Sequence, residues 1–71
     1  MPYALIQITK EPHTTPQLKE QLIQRITHAI TQTLGKNPNH TFVVIQEIET
    51  DNWGIAGISA TNYRNQTIQP R

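Results

Sequence analysis

Apolar residues fall in three blocks along the chain, separated by polar, proline-bearing stretches, and each block has its own spacing. In Tyr3 to Thr9 the apolar positions Tyr3, Leu5, Ile6 and Ile8 alternate unevenly with the rest, and their β-branched and aromatic character predicts a strand. Lys10-Glu11-Pro12-His13-Thr14 is polar and contains proline, so the chain turns there. Thr15 followed by Pro16 is a helix start: the threonine hydroxyl accepts from an orphan N–H, and proline is pre-set for the first helical position. Leu18, Leu22, Ile26, Ala29, Ile30 and Leu34 recur at intervals of three and four, which predicts one apolar stripe, widened by Ile23, on a helix of about five turns. Gln24, His28 and Gln32 share a polar face, Gly35 is placed to cap the helix in the left-handed conformation, and Pro38 prevents its resumption.

The run Thr41 to Ile48, with Phe42-Val43-Val44-Ile45 at its centre, predicts a second strand, and its continuous apolar character predicts burial on both faces as in a parallel sheet. Thr50 to Gly57 is rich in turn formers and predicts a short hairpin or a loop. The tail from Ile58 to Arg71 is polar apart from Ile58, Ala60, Tyr63 and Ile68, and beyond about residue 60 it is expected to be flexible or to clasp a neighbouring subunit. The fold class is therefore α+β: a β-α-β unit with parallel strands and a short C-terminal hairpin, in a single domain over residues 1–71. One helix covers one face of such a sheet and leaves the other bare, which a chain this short cannot repair alone.

Composition sharpens that point. There is no cysteine, so no disulfide holds the domain together, and no cluster has the spacing of a zinc site. Assembly with other copies is the remaining source of stability. Six basic and five acidic residues give a formal charge of +1 without any basic stripe, which argues against nucleic acid as a partner. No apolar run approaches the ~20 residues that span a bilayer, and no leader pattern precedes the first strand, so the expected location is the cytoplasm, away from membranes.

Three features coincide: Pro2 directly after Met1 and leading a strand, one long amphipathic helix, and a second strand running into Asn52-Trp53-Gly54-Ile55-Ala56-Gly57. Over residues 2–57 this combination resembles the 4-oxalocrotonate tautomerase family. The resemblance implies a cofactor-independent isomerase that interconverts the enol and keto forms of a small 2-oxo acid. It also implies a homo-oligomer, in the first instance a hexamer built as a trimer of dimers, with helices outward, sheets inward and a site at each N-terminus shared with a neighbouring subunit.

Methionine is normally removed before proline, and removal turns the Pro2 nitrogen from a tertiary amide into a secondary amine with a lone pair. The resemblance makes that nitrogen the base, taking a proton α to a carbonyl and returning it elsewhere on the conjugated system, with a pKa lowered by desolvation. By the same resemblance Trp53 lines the pocket, and a main-chain N–H near Thr9 meets the substrate or its water. The family's best-studied members hold a dicarboxylate with two arginines, one just after the first strand and one early in the second. Here those stretches read Lys10-Glu11-Pro12 and Thr41-Phe42-Val43, without arginine. Lys10 is left as a point charge for a carboxylate, Arg25 as a cation offered to a neighbouring subunit, and Asn52 as a minor contact. The physiological substrate is accordingly expected to differ from 2-hydroxymuconate. The competing reading is a non-catalytic oligomeric module that binds a small molecule or partner on the same fold. Asp51 reads as a turn former, and His13, His28 and His40 are too dispersed for metal ligation.

Overall fold

The computed structural model describes residues 1–68. Its elements, in chain order, are β1 (Tyr3–Thr9), α1 (Pro16–Leu34), a 3-10 turn at Pro38–His40, β2 (Phe42–Ile48), a second 3-10 turn at Thr50–Asn52, β3 (Gly54–Ile55), β4 (Ile58–Ser59) and α2 (Ala60–Ile68). β1 and β2 lie side by side in parallel from Tyr3 opposite Phe42 to Thr9 opposite Ile48, and α1 is the crossover between them. β3 and β4 form a separate antiparallel hairpin.

Local chemistry accounts for these limits. The Thr15 side chain accepts from Leu18 N–H, Pro16 opens α1, and Gly35 ends it at φ 66°, a conformation that costs a Cβ-free residue little. Asn37 caps the following 3-10 turn by accepting from Asn39 N–H, and Thr41 donates its hydroxyl to Asn37 O before β2 begins. The β3–β4 turn carries positive φ at both Ala56 (54°) and Gly57 (85°), the handedness that matches the strand twist of a tight hairpin.

The face of α1 that meets the sheet is rotated from the predicted one. Lys19, Leu22, Ile23, Ile26, Thr27, Ile30 and Thr31 are half-buried, whereas Leu18, Ala29 and Leu34 are exposed. Lys19 belongs to the inner face because its ammonium reaches Glu47 Oε1 on β2 at 2.7 Å. Residues 60–68, read from sequence as a tail, are instead helical. Residues 69–71 of that tail lie outside the described residues. Ala60 N–H donates to Trp53 O at 2.6 Å, Ser59 Oγ accepts from Asn62 N–H, and the Thr61 hydroxyl contacts Thr50 Oγ1 and Asp51 Oδ1, both at 2.6 Å. Tertiary contacts of this kind, rather than an amphipathic stripe, hold α2 in place.

β2 was expected to be buried on both faces, but one protomer covers only the helix side. Ala4, Ile6, Ile8, Val43 and Ile45 are half-buried there, while Tyr3, Leu5, Phe42 and Val44 are exposed on the opposite face. Among the described residues Ala60 is the only fully buried apolar side chain. The radius of gyration, 16.1 Å, exceeds the ~11 Å of a compact chain of this length. Among the described residues, an elongated protomer without a closed core has one bare apolar sheet face and two strand edges that no other strand pairs, since the main sheet contains only β1 and β2. No described helix is long and apolar enough to cross a membrane.

Candidate active site

Pro2 stands immediately before β1 and is half-buried; its carbonyl accepts from Phe42 N–H at 3.0 Å, which ties the start of β1 to the start of β2. Met1 is 85% exposed, so its removal would cost the fold little packing. Tyr3 and Phe42, opposite each other in the register, put two aromatic side chains on the open face beside Pro2.

The other sequence-predicted residues collect at the far end of the same strands. Lys10 N–H donates to Ile48 O at 2.8 Å, extending the pairing past Thr9, and Lys10 Nζ lies 3.3 Å from Glu49. Asn52 closes the 3-10 turn by donating its N–H to Glu49 O, and the half-buried Trp53 follows at the entry to β3. Seven residues of strand at about 3.3 Å each separate the two groups by about 20 Å. Within one protomer, then, Thr9, Lys10, Asn52 and Trp53 lie toward one end of the strand pair and Pro2 lies at the other. Arg25 joins neither group: it is exposed on α1. Pro2 O and Lys10 N both face β2, and alternate residues of a strand turn their polar groups to opposite sides, so the Thr9 N–H faces the unpaired edge of β1.

Sequence reading passed over Arg64 and Glu11. From α2, the Arg64 guanidinium makes a two-pronged contact with Glu11, at 3.0 Å to Oε1 and 2.6 Å to Oε2, and lies 3.4 Å from Thr9 Oγ1. The Thr9 hydroxyl donates to Glu11 Oε2 at 2.6 Å. The Arg64 hydrogen bonds, with that of Thr9, hold the Glu11 carboxyl at about 2, well below its ordinary 4.5. The partners are 53 residues apart, and no local pattern announces such a contact. A shallow groove on α1 lined by Gln17, Glu20, Gln21 and Gln24 includes none of the predicted residues. Among the described residues no three of His, Cys, Asp and Glu gather to hold a metal ion.

Residues 2–63 match the family model described as Tautomerase enzyme. The chain belongs to the tautomerase family. It is 53% identical over 66 residues to a probable tautomerase of Dickeya dadantii, covering 93% of this chain and 97% of that one. It is 38% identical over 60 residues to a 2-hydroxymuconate tautomerase of Pseudomonas putida, covering 84% and 92% of the two chains. The crystal structure of DmpI from Helicobacter pylori superposes with a TM-score of 0.82 at 28% identity, covering 90% of this chain and 97% of that one. These relatives support a tautomerase activity for the chain, and the tautomerase fold matches the β-α-β unit and hairpin described above.

Proposed function

We propose that this tautomerase-family protein interconverts the enol and keto forms of a small 2-oxo acid without a cofactor, with the N-terminal amine of Pro2 as the base. The observation that carries the reading is the position of Pro2, half-buried immediately before β1 and next to an exposed Met1. Burial disfavours the charged form of an amine and so favours the neutral nitrogen that a base requires. On ketonisation the enol O–H bond breaks, its oxygen forms the C=O bond as the C=C electrons shift, and a C–H bond forms at a carbon of the conjugated system, Pro2 carrying the proton between them. Donors near the substrate oxygen stabilise the charge that develops on it.

A site complete in this sense takes its parts from two copies. β1 has a free edge and a bare apolar face, and a two-fold axis that pairs two β1 edges makes the strands antiparallel. That arrangement brings Pro2 of one copy to the Thr9 end of the other, where the edge-facing Thr9 N–H, Lys10, Asn52 and Trp53 collect. Trp53 then walls the pocket and keeps water from the amine, Lys10 offers a cation to the substrate carboxylate, and Asn52 lies at the rim. A homohexamer built as a trimer of such dimers supplies the cover for the sheet face, and Arg25, exposed on α1, stays outside the site that two copies share.

The experiment is ketonisation of 2-hydroxymuconate and phenylenolpyruvate, followed in the ultraviolet, with protein shown by mass to begin at Pro2. Turnover well above buffer that collapses in Pro2→Ala supports the reading. Equal rates in the two proteins exclude Pro2 as the base.

A further inference from the structure

We infer that the site proposed above selects enols of 2-oxo monoacids with an aromatic or otherwise apolar tail over dicarboxylates, because each cation at the Trp53 end is already held by a glutamate of its own chain. The inference rests on the Pro2 reading of the site, and it follows from the contrast between the two surfaces that would meet there.

On the Pro2 side the neighbouring side chains are aromatic. Phe42 is joined to Pro2 through its N–H, Tyr3 lies opposite Phe42, and the two are 48% and 62% exposed on one face, with Leu5 and Val44 further along the sheet. On the other side Trp53 adds a third ring. The charged groups at the Thr9 end of the strands, the end from which the chain runs on to Trp53, are closed pairs. Arg64 is engaged by both oxygens of Glu11, which the Thr9 hydroxyl also fixes, and Lys10 sits 3.3 Å from Glu49.

A substrate carboxylate reaching for Arg64 must displace a two-pronged carboxylate already in place, and the displaced Glu11 then lies beside it as a like charge. Lys10 is different: it makes one longer contact in an exposed position and can share its charge with a single incoming carboxylate. One carboxylate next to the 2-oxo group is therefore accommodated, a second finds no uncommitted partner among these cations, and an apolar tail gains contact with the three rings.

The test compares kcat/KM for phenylenolpyruvate and 2-hydroxymuconate in protein beginning at Pro2, and in Glu11→Gln, with Glu49→Gln as an independent second variant if Glu11→Gln does not fold. The expected result is a preference for phenylenolpyruvate of about tenfold or more, the scale on which pocket contacts discriminate between substrates. Glu11→Gln, by releasing Arg64, is expected to raise kcat/KM for 2-hydroxymuconate severalfold while leaving phenylenolpyruvate nearly unchanged; Glu49→Gln, by releasing Lys10, is expected to raise both, and the doubly charged 2-hydroxymuconate more. Turnover of both compounds with 2-hydroxymuconate equal or preferred overturns the selectivity and leaves Pro2 as base untouched. A substrate ratio that neither variant moves removes the glutamate shielding. Turnover of neither compound removes the proposed activity and the selectivity together.

Discussion

The two ends of the parallel pair differ in almost every chemical respect. The end where Pro2, Tyr3 and Phe42 meet is aromatic, is joined across the strands by main-chain contact, and is open on one face. The end where Thr9 meets Ile48 is ringed by charge: Lys10 with Glu49, Arg64 with Glu11, and on the helix side Lys19 with Glu47. A base that must stay neutral belongs at the first end, and groups that orient an anionic substrate belong at the second. Within one chain they are held about 20 Å apart by the strand pair, so the site proposed above needs a second copy.

The most severe way to break this comparison is to remove the base. Pro2→Ala is expected to lower kcat by about 10²- to 10⁴-fold, the usual range for a positioned acid–base group, with fold and assembly unchanged by circular dichroism and light scattering. If sites are shared between antiparallel copies, mixing unfolded Pro2→Ala with unfolded Trp53→Ala and refolding them together should restore activity to about a quarter of the native level, since half the dimers are mixed and each holds one intact site of two. Absence of any recovery would place both residues in one chain's site.

A charge on the bare face attacks the assembly itself. Leu5→Lys, 46% exposed in the protomer, is expected to shift the protein to smaller species in sedimentation and to take activity down with it. Unchanged size would show that this face is not the one that copies share. Trp53→Ala should cost less, about tenfold in kcat/KM, together with a higher apparent pKa in the rate profile as water gains access to the amine.

The smallest effect concerns the charged end alone. Glu11 titrates at about 2 in the folded chain and at 4.5 ordinarily, so its contribution to stability is full above the higher value and is lost as pH falls through the lower one. The melting temperatures of the native chain and Glu11→Gln should differ by at most a few degrees near neutrality and converge between those two values, because an exposed ion pair is largely screened by solvent. A difference that persists unchanged below pH 2 would assign the effect to packing instead of charge.

How much of this could be read from the chain depends on how local the cause is. β1, α1 and β2 were legible because period-two and period-three-to-four patterns, Thr15-Pro16 and Gly35 are signals carried by adjacent residues. The inner face of α1 was misplaced by part of a turn because Lys19, Thr27 and Thr31 are polar letters on a packed face, and Leu18 and Leu34 are apolar letters on an exposed one. α2 was missed altogether: Ala-Thr-Asn-Tyr-Arg-Asn-Gln-Thr-Ile has two threonines and two asparagines, poor helix formers, and is stabilised by contacts with the Thr50–Trp53 segment. The same distance in sequence hid Arg64, since nothing near it points to Glu11. Pro2 and Trp53 were legible as candidates only through the family pattern, and their separation along the strand pair was not, because it follows from the register and not from either residue.

The position of Pro2, with β1 beginning at the very next residue, has a practical consequence for anyone preparing the protein. If the amine is the base, an affinity tag or reporter fused ahead of it leaves an ordinary peptide bond at the reacting nitrogen, and such material would fold, assemble and crystallise while remaining catalytically silent. A purification handle therefore belongs elsewhere, or ahead of a protease site whose cut leaves proline first. A library screened in amino-terminally tagged form would score this chain as inert.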